Sequence, residues 1–105
     1  MKGERLGEFE ELLLLTLLAI EKPYVVTVQQ YLEEISTRAV SLGAVYAGLD
    51  RLEIKGLVRS SLGEASCVRG GKRKRVYLVT RDGLQTANSV RQVRDAIWKV
   101  IEERR

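Results

Sequence analysis

The chain has 105 residues with one cysteine, no histidine and a net charge of +4. A domain of that length buries roughly two-thirds of its unfolded surface, so a second subunit would add stability, and a 45% apolar, 30% charged composition excludes global disorder. A lone Cys67 excludes an intramolecular disulfide; with no histidine there is no thiolate–imidazole zinc site, no Ser-His-Asp triad and no imidazole base, so no catalytic residue, metal or cofactor is assigned.

The charge is localised. Residues 1–37 carry three Lys/Arg against seven Asp/Glu, residues 38–81 ten against three, and residues 82–105 five against four, so the middle of the chain is the part suited to an anionic partner.

Met1 to Arg5 precede the apolar run LLLLTLLAI, Leu12 to Ile20. Glu8, Glu10 and Glu11 beside the run, and its length of nine residues, argue against a signal peptide or a membrane span, and a reducing cytoplasm fits the cysteine content. Leu6 to Glu21 reads as a first helix that Pro23 limits. Its leucines occupy nearly every azimuth. One face can therefore enter the subunit's own core while the other needs a partner, and Leu6, Phe9 and Leu13 are assigned to that dimer contact.

Thr27 and Gln30 have capping-box spacing, which starts a second helix at Thr27 with Val28, Leu32 and Ile35 as its inward stripe. Ser41 caps a third helix that runs to Lys55 and stops at Gly56. Leu42, Val45, Leu49 and Leu52 repeat at steps of three, four and three and form its inward face. Two β-prone runs follow, Leu57 to Leu62 and Arg75 to Val79, joined by a Gly-rich loop, and they read as a hairpin. Thr80 then caps a last helix, about Asp82 to Arg104, with a seam of Val90, Val93, Ile97 and Val100 that nothing in its own chain covers.

The expected fold is mainly α with a small two-stranded antiparallel sheet. Three helices before a hairpin is the winged helix-turn-helix order, in which the third helix enters the DNA major groove and the wing follows the backbone or minor groove. Residues 1–81 would be the DNA-binding unit and residues 82–105 the dimerisation helix. Double-stranded DNA is the expected partner because Arg69, Lys72, Arg73, Lys74 and Arg75 cluster at the hairpin, where Gly70 and Gly71 permit a tight reversal, while Arg38, Arg51, Lys55 and Arg59 lie in or beside the third helix. A solvated basic loop is the blander reading of that cluster. The outward surface of the third helix offers Gly43, Ala44, Ala47, Arg51 and Ile54, with Tyr46 at its edge. Small residues admit base edges, alanine can meet thymine methyls, and Arg51 can pair with phosphate or guanine; without Asn or Gln, base readout is sparse and DNA shape carries more. Tyr46 suits half-buried packing and phosphate contact equally. Winged domains also dock proteins, so a module for an acidic partner is the competing reading.

Ser41 to Ser60, SLGAVYAGLDRLEIKGLVRS, together with Arg69 to Gly83, RGGKRKRVYLVTRDG, resembles the PadR family of bacterial transcriptional regulators. Ser41, Gly43, Val45, Tyr46, Leu49, Arg51, Leu52, Glu53, Gly56 and Leu57 fall on the first motif, and Tyr77, Thr80 and Gly83 on the second. The resemblance implies a homodimeric winged-helix DNA-binding protein, usually a repressor, whose last helix exchanges contacts between subunits. DNA contacts would then fall to Ser41, Gly43, Ala44, Tyr46, Ala47, Arg51, Arg69, Lys72 to Arg75 and Tyr77, and dimer contacts to Leu6, Phe9, Leu13, Val90, Val93, Ile97, Trp98, Val100 and Ile101. It also implies a small aromatic effector between subunits, for which Trp98 is the stacking residue, although a lone aromatic beside Ile97 more often packs. Tyr24 precedes Val25 where the family has glycine, and a single last helix limits the effector pocket. Cys67, near Arg69 and Lys72, is the candidate for a redox-sensing thiol against the ordinary reading of an inert loop cysteine.

Overall fold

A computed structural model describes residues 6–63 and 74–104. Three helices, α1 (Glu8–Ala19), α2 (Val25–Ser36) and α3 (Leu42–Ile54), are followed by strands β1 (Val58–Leu62) and β2 (Arg75–Val79) and by the helix α4 (Arg81–Glu103). The strands pair antiparallel with Val58 opposite Val79, Ser60 opposite Tyr77 and Leu62 opposite Arg75.

Local chemistry explains the boundaries. Glu8, Glu10 and Glu11 occupy the first turn of α1, where the helix dipole favours carboxylates, and the Gly7 N–H donates to Glu10 Oε1 at 3.1 Å. The second helix starts earlier than Thr27. Tyr24 is its N-cap in extended geometry, and Thr27, in the third helical position, accepts the Tyr24 N–H on its hydroxyl at 2.9 Å while that hydroxyl also contacts the Lys22 carbonyl. Thr27 thus supplies the returning half of a capping arrangement, and the spacing to Gln30 is not used. Ser41 caps α3 as expected by accepting the Ala44 N–H at 3.0 Å. At the other end Gly56 takes a φ of 79°, Leu57 N–H bonds the Leu52 carbonyl and Gly56 N–H the Glu53 carbonyl, the paired bonds of a Schellman motif. The left-handed turn delivers the chain directly into β1.

The core collects Leu13, Leu14 and Leu17 of α1, Val28 and Leu32 of α2, Val45, Leu49 and Leu52 of α3, Val58 and Tyr77 of the hairpin, and Ala87 of α4. Two expected core residues lie outside it. Leu42 is 46% exposed because it sits in the first turn of α3, ahead of the packed stripe, and Ile35 is 65% exposed because the buried stripe of α2 ends at Leu32. Leu13 requires the opposite correction. It is wholly buried within its own subunit and is unavailable to a partner, whereas Leu12, Leu15 and Leu18 present the exposed side of α1.

Helix α4 joins this body through its first turns. Thr80 caps it, accepting the Gly83 N–H at 3.0 Å and donating to the Gly56 carbonyl at 2.8 Å, so one hydroxyl ties the end of α3 to the start of α4. Gly83 is buried where a Cβ would lie 2.1 Å from the Leu57 carbonyl oxygen and 2.8 Å from Val79 Cγ1. A backbone oxygen fixed by the hydrogen bond from Thr80 N–H cannot retreat as a side chain would. Gly83→Ala is therefore expected to destabilise the fold by about 1–3 kcal/mol, seen as a lowered urea midpoint with an unchanged slope. Beyond Val90 every described residue of α4 is exposed. The helix projects, and the radius of gyration of 15.7 Å exceeds the roughly 13 Å of a compact chain this long.

Candidate nucleic-acid interface

The turn between α2 and α3 is held from within α2. Gln29 Nε2 donates to the Val40 carbonyl at 2.8 Å and Glu33 Oε2 accepts the Val40 N–H at 2.9 Å, while Thr37 ends α2 in the left-handed region at a φ of 56°. Both polar backbone groups of Val40 are thereby satisfied, which fixes how α3 leaves α2.

Along α3, Ser41, Gly43, Ala44, Tyr46 and Ala47 are all exposed, as expected of a surface offered to a partner. A Cβ built on Gly43 would meet nothing within 4 Å. The wing strand β2 lies beside this surface because Tyr77 N–H bonds the Pro23 carbonyl at 3.1 Å, joining β2 to the turn that opens α2. Lys74 then sits with its Nζ 5.1 Å from the centre of the Tyr24 ring, and Lys74, Arg75, Tyr24, Val25, Val26, Leu42 and Tyr46 surround one surface depression. Three elements thus meet there. Arg75 is exposed and donates through Nη1 to Ser60 Oγ at 3.0 Å, and Ser60 in turn bonds the Glu53 carboxylate. Arg69, Lys72 and Arg73, with Gly70, Gly71 and Cys67, lie outside the described residues.

Two expected contact residues have other surroundings. Tyr77 is 4% exposed and belongs to the core, and burial raises its phenol pKa above the ordinary value. A ring buried in the core cluster is covered by its own subunit, so its place on the second motif is explained by packing. Arg51 turns toward α1, where its Nε donates to Glu10 Oε2 at 2.7 Å. Lys55 Nζ meets Glu10 Oε1 at the same distance, and the Glu10 side chain is almost wholly covered. Burial pushes that carboxyl up, but bonds from Lys55, Arg51 and the Gly7 N–H together outweigh it and leave the pKa at about 2. Glu10 is thus a charged strut between α1 and the C-terminal half of α3. Residue types alone could not reveal this, because the partners are 41 and 45 positions apart.

A second surface lies on α4. Val93, Ile97, Trp98, Val100 and Ile101 are between 40% and 60% exposed, and Val90, Leu6 and Phe9 are half-buried. Arg94 reaches back across this region and bonds both Glu11 oxygens, at 2.7 and 3.0 Å, which holds the Arg94 pKa above its usual value. A groove of about 560 Å³ runs between Leu6, Thr86, Val90, Val93 and Ile97, floored by that ion pair, and Trp98 is not among its walls. Sequence reasoning missed Glu11 and Arg94, since only the packing of α1 on α4 joins them. Among the described residues no cluster of His, Cys, Asp or Glu could hold a metal, and no helix is long and apolar enough to cross a membrane.

A helix-turn-helix with an accessible second helix, flanked by a cationic two-stranded wing, defines a winged-helix DNA-binding transcription regulator. The chain belongs to the Transcriptional regulator PadR-like family, whose model matches residues 14–89. A PadR family transcription regulator from Clostridium difficile R20291 is 24% identical and superposes with a TM-score of 0.74 over 92% of this chain and 97% of its own. A PadR-like transcription factor from Bacteroides fragilis is 21% identical, with a TM-score of 0.77 over 94% and 91%. The complex structure of hsRosR-S1 is 29% identical, with a TM-score of 0.65 over 92% of this chain and 75% of its own. No curated protein matches the chain.

Proposed function

We propose that the protein is a cytoplasmic homodimer that represses transcription from a roughly palindromic operator. Residues 1–81 form its DNA-binding unit and residues 82–105 its dimerisation helix. The observation that carries this reading is the pairing of two separate surfaces on one chain: the exposed face of α3 beside the cations of the wing, and the apolar stripe of α4 that its own subunit leaves uncovered. A projecting α4 supports an assembly in which two copies of this stripe, with Leu6 and Phe9, bury one another and set the spacing between two recognition helices. A small flat aromatic effector that stacks on Trp98 and alters that spacing would release the DNA; the 57% exposure of Trp98 on the unpaired stripe supports it.

Affinity in this account comes from phosphates. The logarithm of the binding constant should fall linearly with log salt at about −0.9 per phosphate contacted. Replacing Lys72, Arg73 and Lys74 together by Ala should weaken binding to all duplexes about equally and flatten that slope. Fluorescence anisotropy on selected and random duplexes across a salt series reads both quantities. Salt-independent binding would refute phosphate recognition, and tight binding to an acidic protein without affinity for duplex would favour the interaction-module reading.

A further inference from the structure

We propose that the protein reads its operator through thymine methyl groups, using Val26, Leu42, Gly43, Tyr46 and Ala47. This rests on the DNA-binding reading given above and specifies what the recognition surface recognises. Direct readout of guanine or adenine uses Arg, Lys, Asn or Gln presented to base edges. Helix α3 contains no Asn or Gln, and its arginine, Arg51, is engaged with the buried carboxylate of Glu10. The Ser41 oxygen, at the cap ahead of the first turn, accepts the Ala44 N–H, which leaves its O–H as the one donor there. What the first two turns expose is therefore apolar or small, apart from the Tyr46 hydroxyl.

The apolar surface extends beyond α3. Leu42 is 46% exposed, Tyr46 55% and Val26 50%, and they share one depression with Lys74 and Arg75. Exposed aliphatic side chains framed by cations match the major groove, where a thymine C5-methyl lies between rows of phosphates. Gly43 leaves open space that lets the helix backbone approach the base edges. Asp50, a turn beyond Tyr46, is an exposed carboxylate that would repel phosphates, which restricts insertion to the N-terminal half of the helix.

A duplex selected from a random library by the full-length chain provides the test. It is resynthesised with deoxyuridine at every thymine, which removes the methyls and preserves the base pairs and phosphates. The uridine duplex should bind about tenfold or more weakly, at about fourfold for each methyl removed from the interface, with the salt slope unchanged. Leu42→Ser combined with Val26→Ser, both at exposed positions, should bring the thymine preference down to about twofold or less, while binding to random duplex is kept. Equal affinity for the thymine and uridine duplexes would overturn the inference and leave DNA binding standing. An undiminished thymine preference in the double variant would overturn the assignment to these residues. Failure to enrich any duplex would overturn both this inference and the DNA-binding reading beneath it.

Discussion

Replacing Val93 and Ile97 together by Glu is expected to yield a folded monomer that binds its operator at least about a hundredfold more weakly than the parent chain. The two positions lie one turn apart on the projecting part of α4 and are 60% and 56% exposed in the subunit, so charge there costs the isolated fold little. In a dimer the same side chains face one another, and four like charges in a desolvated seam would prevent association. Loss of the proposed dimer would remove the second half-site, whose effective concentration on a linked partner is worth about 10²–10⁴ in avidity. Sedimentation equilibrium and far-UV circular dichroism separate the outcomes: monomeric mass with intact helicity is the expected result. A variant that stays dimeric would move the interface away from this stripe.

The second large effect concerns Glu10. Its folded pKa of about 2 lies below the ordinary carboxylate value of 4.5, so the native state binds this proton less readily than the unfolded chain. The stabilisation is accordingly complete above about pH 5 and is lost as pH falls from there through about 2. A shift of this size corresponds to about 2–3 kcal/mol once the half-exposed Arg51 partner is discounted for solvent screening. Glu10→Gln should lower stability by about that amount at neutral pH and flatten the acid limb between pH 5 and 2, measured by urea titration at successive pH values. Equal acid sensitivity in parent and variant would dissociate Glu10 from the effect. Because the strut joins α1 to α3, the variant should also loosen the C-terminal half of α3, visible as faster amide exchange near Arg51 and Lys55.

Elements with sequence-local causes are legible from residue order alone. The caps at Ser41 and Thr80, the glycine stop at Gly56 and both strands follow from residues within a few positions of each boundary, and each appears where the pattern puts it. The second helix shows the limit of that reasoning. Thr27 has a hydroxyl suited to two capping roles, and only the extended Tyr24 backbone decides which one it fills. On α1 leucines at nearly every azimuth remove the phase information that a narrower stripe would carry, so Leu13 could not be told from Leu12 or Leu15.

Candidate contact residues divide along the same line. Gly43, Ala44, Tyr46 and Ala47 follow from helical phase, and exposure at each agrees with that phase. A helix starting at Thr27 leaves Val26 in a turn, so its place on the same surface emerges only with the true start of α2. Arg51 and Tyr77 depend on contacts distant in sequence, one with Glu10 and the other with the turn at Pro23. Burial takes Tyr77 out of the candidate contacts, whereas Arg51 stays half-exposed and is restrained through its Nε by Glu10.

Native mass spectrometry of the full chain with one selected duplex tests the central claim most directly. Two protomers bound to each duplex, arriving together without a stable one-protomer species, is the result expected of a dimer reading a paired operator. A single protomer per duplex, or no complex at low salt, would contradict the account.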